Sequence, residues 1–297
     1  MISPSGDCLH SINLEPSIIS DTEAVKISDI LGDEHSADRF EIIGSSNGLL
    51  CLFCQGRGVG GLYIVNHSTR VSKKVEKFNL SNLDRLYGFG YDHTVDDYKL
   101  AKLDRDKDNL GIYSLKTNSW KKVESCFPHH SLFPICSGPS LNGAIHWVCF
   151  DLIDPQPWTV LLVIVGFSLV DEKFWKIAVP VQARLQLGVF NGCLCTLNYI
   201  KGEFWVLKEY GMTPFWTKVV IEMPSFPIKL LVLVISEELL KNDELLFLTH
   251  SNKFALWNTR QRTSRDLILP EILEASAVFK VGIDRESLIS PHHCCLN

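Results

Sequence analysis

The chain has 297 residues, of which 46% are hydrophobic, and it carries a formal net charge of −5. A chain of this length buries about three quarters of its unfolded surface on folding, so its core needs neither disulfides nor a metal. The negative charge excludes a dominant basic face for nucleic acid, so we expect the partner to be a protein or a small molecule.

The ten cysteines are scattered, and most lie within apolar, strand-like runs. A free cysteine behaves as a small buried hydrophobe, so this usage indicates a reducing compartment, the cytoplasm or the nucleus. The first residues have neither the charged nor the apolar part of a signal peptide. The most apolar segment, 159–170, is shorter than the ~20 residues of a membrane helix and is expected to form buried strands.

Residues 1–40 are the least patterned part of the chain, with polar and acidic turns around short apolar pieces. A clear pattern begins at 41–53, where the Asn47-Gly48 step leads directly into an apolar run. Asn-Gly tolerates the positive φ angles of a tight hairpin turn. The same kind of turn returns after gaps of 95, 49 and 51 residues, and the first gap is close to twice the others, with the turn cluster Tyr87–Asp92 near its middle. This is a period of roughly 48 residues, which is typical of propellers, solenoids and arrays. The later copies of the turn are Asn142-Gly143, Asn191-Gly192 and Asn242-Asp243.

Each repeat also has a second half, in which a short strand leads through a polar turn to a tryptophan or a basic pair. The clearest examples are 112–122, 165–176 and 205–218. Two hairpins in each repeat make four strands, as in one propeller blade. Most of the tryptophans fall at equivalent places of the repeats, which predicts packing between blades.

Five such units follow one another between residues 41 and 270. We predict a sixth blade in which a tail strand at 278–281 pairs with strands from residues 1–40, because closing the ring in this way leaves no open edge. The predicted fold is therefore an all-β, kelch-like β-propeller of six blades. Residues 41–290 form its single domain, residues 1–40 join the closing blade, and 291–297 form a disordered tail.

Three motif fragments suggest bound groups, but each lacks a part that the chemistry needs. Gly56–Gly61 matches the glycine pattern of dinucleotide sites, yet a strand rather than a helix follows it. Asp104–Asp108 matches the opening of a calcium loop, whose later glycine and glutamate are missing. Cys51 and Cys54 are three residues apart in a strand, so their thiols point to opposite faces. The sequence therefore predicts no cofactor and no metal.

The chain shows no recognisable motif for a hydrolytic nucleophile, and His146 lies in an apolar strand, as a structural histidine does. Aromatic residues on exposed loops are better candidates for function, because they often anchor protein interfaces. Two loops qualify, at 125–139 and 154–158. The alternative, that these loops fold onto their own blades, stays open. The candidate partner-binding residues are Phe127, His129, His130, Phe133 and Trp158.

Several stretches carry a family resemblance in chain order: Ile43-Gly-Ser-Ser-Asn-Gly-Leu-Leu-Cys-Leu52, Tyr63-Ile-Val-Asn-His-Ser-Thr69, the segment 87–100, Ile112-Tyr-Ser-Leu-Lys-Thr-Asn-Ser-Trp120, Leu141-Asn-Gly-Ala-Ile-His-Trp147, Ile164-Val-Gly-Phe-Ser-Leu169 and the ending Glu286-Ser-Leu-Ile-Ser290. Together they resemble the F-box associated domain of plant F-box proteins, of the kelch-like type. The resemblance implies a β-propeller that recruits the substrate protein of an SCF-type ubiquitin ligase. Such a receptor performs no chemistry itself and raises the concentration of substrate near the ligase's E2.

In that family an N-terminal F-box docks on the Skp adaptor of the cullin complex. Residues 1–40 contain nothing like an F-box and look like the linker that follows one, so the resemblance implies Skp and cullin as partners only if an F-box lies upstream. The kelch glycine pair also survives only once, at Gly60-Gly61. The second function class is a stand-alone propeller that acts as a hydrolase or binds carbohydrate. It would need acidic residues and histidines that converge at one mouth of the propeller.

Overall fold

The structure, a computed structural model, describes most of the predicted strands and the turns between them. The described residues are 2–5, 8–11, 25–26, 30–31, 37–56, 60–76, 86–104, 109–124, 131–136, 138–152, 160–182, 185–190, 192–198, 203–209, 215–220, 228–231, 244–249, 254–267 and 287–292. This part of the chain is almost entirely strand and turn, and within it we find no helix that could span a membrane.

Three short N-terminal strands form a small antiparallel sheet of their own: β1 (Ile2–Ser5), β2 (Cys8–Ser11) and β3 (Val25–Lys26). Five larger antiparallel sheets follow, and each is built from one stretch of the chain. We number them blade one to blade five.

Blade one contains β4 (Ala37–Ser46), β5 (Leu49–Gly56), β6 (Gly60–Asn66) and β7 (Val71–Lys74). Blade two contains β8 (Leu86–Asp92), β9 (Asp97–Asp104), β10 (Asn109–Ser114) and β11 (Ser119–Glu124). Blade three contains β12 (Ser131–Cys136), β13 (Ser140–Leu141), β14 (Ala144–Leu152), β15 (Val160–Ser168) and β16 (Phe174–Ala178). Blade four contains β17 (Leu185–Phe190), β18 (Cys193–Asn198), β19 (Glu203–Glu209) and β20 (Phe215–Val220). Blade five contains β21 (Ile228–Leu231), β22 (Glu244–Thr249), β23 (Phe254–Asn258) and β24 (Thr263–Leu267).

The core lies between successive blades, because alternate residues of each strand face opposite neighbours. In β9, Leu100 packs with blade one, whereas the next residue, Ala101, packs with blade three. In blade three, Trp147 faces blade two and Val148 faces blade four. Both faces of a central blade are therefore apolar, which is why its strands read as nearly continuous hydrophobic runs.

Tryptophan side chains also tie neighbouring blades together by hydrogen bonds. The Trp120 indole donates to Glu76 O of blade one at 3.0 Å, and the Trp216 indole donates to Ala178 O of blade three at 2.8 Å. Both tryptophans are the second residue of the outer strand of their blade. For these two residues the prediction of packing between blades is confirmed.

Blades two and three approach so closely that β8 needs glycine at its contact points. A Cβ added to Gly88 would lie 2.3 Å from Ile145 Cγ2, and one added to Gly90 would lie 2.3 Å from Ser140 Oγ. Real side chains do not reach such distances. The two glycines of the Tyr87–Asp92 stretch therefore serve strand packing against β13 and β14.

The prediction of six blades is wrong, because the described residues form five blades and one three-stranded sheet. The prediction paired the N-terminal strands with a tail strand at 278–281, a segment that lies outside the described residues. Instead, β2 pairs with β1 on one side and with β3 on the other. Pairing between strands close in sequence costs less loop-closure entropy than pairing across the whole chain.

An N-terminal and a C-terminal segment nevertheless meet on the outer strand of blade one. Ser72 of β7 donates its hydroxyl to Ile30 O at 3.4 Å, and its own carbonyl oxygen lies 3.1 Å from His292 Nε2. Ile30 and Leu31 pack against the outer apolar face of blade one. The C-terminal contact extends to Pro291 and His292, whereas the remaining tail, 293–297, lies outside the described residues.

Candidate protein-interaction surfaces

The antiparallel strand order places the connections of each blade at two opposite edges. The turns that join the first strand to the second, and the third to the fourth, share one edge, which we call the hairpin edge. Its turns in blades one to three are at 47–48, 67–70, 93–96, 115–118, 142–143 and 169–173. The connections between second and third strands, and between blades, lie at the other edge, which we call the loop edge. Its connections include 105–108, 125–130 and 153–159.

The turns between third and fourth strands repeat one local structure in four blades. A polar side chain that ends the third strand accepts hydrogen bonds from backbone amides two or three residues later, and a residue with positive φ follows four residues on. The accepting residues are Asn66, Ser114, Ser168 and Asn258. The residues with positive φ are Arg70, Asn118, Glu172 and Arg262. This capping fixes the shape of the hairpin edge.

A buried ion pair joins blades two and three at the hairpin edge. Lys99 Nζ lies 2.6 Å from Asp92 Oδ2 and donates to Leu169 O of blade three at 2.8 Å. The Thr94 amide and hydroxyl donate to the other oxygen of Asp92. Burial opposes ionisation of this carboxyl, but the hydrogen bonds from Lys99 and Thr94 outweigh it and lower the pKa of Asp92.

A second carboxylate, Asp97, ties the two turns of blade two together. It is buried and accepts hydrogen bonds from the Ser114 hydroxyl and from the Lys116 amide, the latter at 2.8 Å. The Lys116 ammonium in turn donates to Val95 O at 2.8 Å. Both carboxylates are thus occupied by structural hydrogen bonds.

The surface of the hairpin edge at blades two and three is partly apolar. Val95 is 49% exposed and Val170 is 36% exposed. A Cβ built on Gly143 would lie 3.5 Å from both His93 Nδ1 and Val170 Cγ2, so the turns of the two blades meet there. This is a small surface that presents two aliphatic side chains.

The structure brings the entry points of both predicted binding loops to one edge of blade three. In the strand register Ser131 faces Asp151, and Leu152 faces Val160. The 125–130 and 153–159 segments therefore leave the sheet side by side at the loop edge. The candidates within them, Phe127, His129, His130 and Trp158, lie outside the described residues, so their role in partner binding stays a prediction.

The placement of Phe133 in a loop is wrong, because residues 131–136 form β12 and pair with β14, whereas its role in partner binding stays a prediction. The register shifts on either side of Pro134, which has no amide hydrogen to donate to a sheet ladder. A proline inside a short apolar stretch suggests a loop from sequence alone. Here β12 and β13 together supply the first strand of blade three.

The described residues do not assemble a cluster for metal chemistry, because no group of three or more His, Cys, Asp or Glu side chains among them could hold an ion. Cys51 packs between blades one and two, and Cys54 packs on the opposite face of blade one. Burial raises the pKa of both thiols, that of Cys54 to about 12. The opposite orientation that the sequence predicts for these two side chains is confirmed.

His146 lies in the interior of blade three. Its ring Nδ1 is 3.4 Å from Pro139 O, and burial lowers the pKa of the imidazole to about 4. A histidine with this pKa is neutral at pH 7, in keeping with a structural role.

The model of the F-box associated β-propeller domain matches residues 1–296. The chain belongs to the F-box associated β-propeller family. It is 31% identical over 218 residues to the F-box protein CPR1 of Arabidopsis thaliana, an alignment that covers 60% of this chain and 51% of that protein. It is 26% identical over 229 residues to the Arabidopsis F-box/kelch-repeat protein At3g23880, with 71% and 58% covered. This F-box associated propeller thus spans little more than half the length of these relatives.

Solved structures resemble the propeller only distantly. A protein of unknown function from Bacteroides caccae gives a TM-score of 0.48 at 8% identity, with 92% of this chain and 95% of that chain covered. An oligogalacturonate lyase from Vibrio parahaemolyticus gives a TM-score of 0.46 at 11% identity, with 90% and 86% covered. At these scores the likenesses add nothing to the assignment.

Proposed function

We propose that this F-box associated propeller is the substrate-recruiting part of an SCF-type E3 ubiquitin ligase and is not itself catalytic. The observation that carries the proposal is the family match over residues 1–296, together with relatives that are F-box proteins. In this role the propeller holds a substrate protein, and an F-box ahead of it reaches the Skp adaptor and the cullin. The ligase would act in the cytoplasm or the nucleus, in keeping with the reduced, buried thiols of Cys51, Cys54 and Cys195.

The loop edge of blade three is the surface that we assign to the substrate. The turns of the hairpin edge are short and are fixed by their own capping bonds, so they offer little adaptable surface. The 125–130 and 153–159 connections leave the sheet of blade three side by side. The first contains one phenylalanine and two histidines, and the second contains Trp158. Aromatic side chains supply large contact area and are enriched among the residues that dominate binding energy.

The ligase role is tested by pull-down with the purified Skp adaptor. This chain is compared with the same chain extended at its N-terminus by an F-box, such as that of the Arabidopsis relative CPR1. We expect only the extended form to retain the adaptor. Failure of both forms to bind would remove the main support for the ligase role, and binding by the short chain would show that docking does not need an F-box.

The substrate surface is tested in cells in which the proteasome is inhibited. Proteins labelled by proximity to the extended chain are compared between wild type and the double variant Phe127→Ala/Trp158→Ala. The matched control is Val95→Ser, which removes an exposed aliphatic side chain from the hairpin edge. We expect the loop variant to lose labelled proteins that carry ubiquitin, and the control to retain them. If the control loses the labelled proteins and the loop variant retains them, the substrate binds at the hairpin edge instead.

A further inference from the structure

The buried asparagine Asn66 holds the C-terminal segment 287–292 on blade one. Asn66 Nδ2 donates to Ser287 O at 2.9 Å and to Ile289 O at 2.7 Å, and it lies 3.3 Å from the Ser287 hydroxyl. Asn66 is completely buried. One side-chain amide therefore donates hydrogen bonds to two backbone carbonyl groups that are two residues apart. The segment that carries them is more than 220 positions away in the sequence.

Side-chain contacts at Ile289 and in the residues after it add to these hydrogen bonds. Ile289 packs against the apolar cluster between blades one and two. Further along, Pro291 is buried and His292 Nε2 lies 3.1 Å from Ser72 O. Between the anchors, Leu288 is 91% exposed. Leu288 thus faces solvent between two residues whose carbonyl oxygens are bound, and within the segment the Ile289 amide donates to the Ser287 hydroxyl at 3.3 Å.

Comparison of equivalent turns shows that Asn66 does more than cap its hairpin. Its Oδ1 accepts from the amides of Ser68 and Thr69, which is the capping role. In blades two and three the same role is performed by the hydroxyls of Ser114 and Ser168. A hydroxyl is therefore enough for the turn, and the amide donor of Asn66 serves the C-terminal segment.

We propose that the turn at Asn66 is a peptide-binding site on blade one whose resident ligand is the chain's own segment 287–292. The site recognises a main chain with two accessible carbonyl oxygens and an aliphatic residue at the second of them. Because the ligand belongs to the same chain, its effective concentration is high, and binding fastens the C-terminal end of the chain to the first blade. The assignment does not depend on a role in ubiquitin transfer.

The site is tested by limited proteolysis of the full chain with chymotrypsin. The enzyme cleaves after leucine, and the Leu288 side chain is exposed, so only the immobilised backbone protects this bond. When docking and release are fast, the cleavage rate follows the population of the released segment. The fragment beginning at Ile289 is quantified by mass spectrometry.

Two substitutions of Asn66 remove its hydrogen bonds to the C-terminal segment but leave an acceptor for the amides of its own turn. Asn66→Asp keeps a side-chain oxygen for the turn but places a carboxylate against the two carbonyl oxygens of the segment. Asn66→Ser keeps a hydroxyl, the group that caps the equivalent turn at Ser114. We expect cleavage after Leu288 to rise about ten-fold in both, as loss of two hydrogen bonds implies. The matched control is Asn258→Asp, the equivalent turn residue of blade five, which should leave the rate unchanged.

A third variant tests the ligand side without altering blade one. Ile289→Ala removes the partly buried aliphatic anchor and should also raise cleavage after Leu288 several-fold, whether or not the Asn66 variants fold. Because residue 289 follows the cleaved bond, this rate is expressed relative to that of a free peptide with the same residue at 289. Thermal unfolding confirms that each variant compared is folded. Cleavage at the wild-type rate in Ile289→Ala and in the folded Asn66 variants would overturn the assignment, as would equal acceleration by Asn258→Asp.

Discussion

Replacing Lys99 by methionine is expected to lower the free energy of unfolding by about 3 kcal/mol, in the range for breaking a buried ion pair from one side. The side chain of Asp92 is 2% exposed and that of Lys99 is 13% exposed. Without the ammonium, the Asp92 carboxylate keeps only the two donors of Thr94, and Leu169 O loses its hydrogen bond from blade two. Methionine retains the aliphatic part of the side chain, so the loss reports charge and hydrogen bonding rather than packing.

Urea unfolding at pH 7 measures this effect in a double-mutant cycle of Lys99→Met, Asp92→Asn and the double variant. Removing both charges leaves no uncompensated carboxylate, so the double variant should be more stable than the sum of the single losses implies, with a coupling of at least about 1 kcal/mol. If Lys99→Met lowers the free energy of unfolding by less than about 0.5 kcal/mol, the pair contributes no more than an exposed ion pair does, which would contradict the prediction. Strictly additive effects of the two single substitutions would contradict it as well.

The same pair predicts a dependence on acid. Folding lowers the pKa of Asp92 below its ordinary value of 3.8. The ionised carboxylate therefore contributes its full share to the free energy of unfolding above pH 3.8, and this share is lost as the pH falls below 3.8 and through the lower pKa of the folded state. Stability measured between pH 5 and about pH 2 should therefore fall less steeply in Asp92→Asn than in wild type.

Three further predictions concern single side chains. Burial lowers the pKa of His146 to about 4 from an ordinary 6.5, so between these pH values the unfolded state binds a proton that the folded state does not. The free energy of unfolding of the wild type should therefore fall by up to ~1.4 kcal/mol for each pH unit below 6.5. Urea unfolding at pH 7 and pH 5 measures this slope, which His146→Gln should reduce. Trp216→Phe removes the hydrogen bond to Ala178 O and should cost about 1 kcal/mol by urea unfolding, and an unchanged midpoint would contradict the role of this bond in joining the blades. Arg70→Gly relieves a φ of +56° and should stabilise the protein by about 0.5–1 kcal/mol in thermal unfolding, whereas an equal gain in Arg70→Ala would show that backbone strain is not the cause.

Local patterns predict the five units that follow one another between residues 41 and 270. The strands of blades one to five run from Ala37 to Leu267. Alternation and turn chemistry are properties of neighbouring residues, so they are visible without the fold. The opposite faces of Cys51 and Cys54 followed from strand geometry for the same reason.

Features that depend on distant pairing could not be predicted in this way. The sequence around Phe133 carries a proline and several turn formers, and only its pairing with β14 makes it a strand. The hydrogen bond from Asn66 to Ser287 joins residues 221 positions apart, and no local sequence pattern indicates that these two residues contact each other. The predicted loop residues around 125–130 and at Trp158 stay predictions, although the register of blade three brings their loops together.

The contacts of Ser72 with both Ile30 and His292 have a mechanical consequence. A machine that pulls the chain from its C-terminus, as an unfolding motor does, would transmit force through His292 and the 287–289 backbone to β7 and the turn at Asn66. The load would thus reach the first blade as well as the last one. Because β7 is a four-residue strand at the edge of its sheet and pairs, among the described residues, only with β6, we expect it to detach before any central strand is strained. Its detachment would also break the contact of Ser72 with Ile30, so a pull on the C-terminal segment would loosen the N-terminal segment at Ile30.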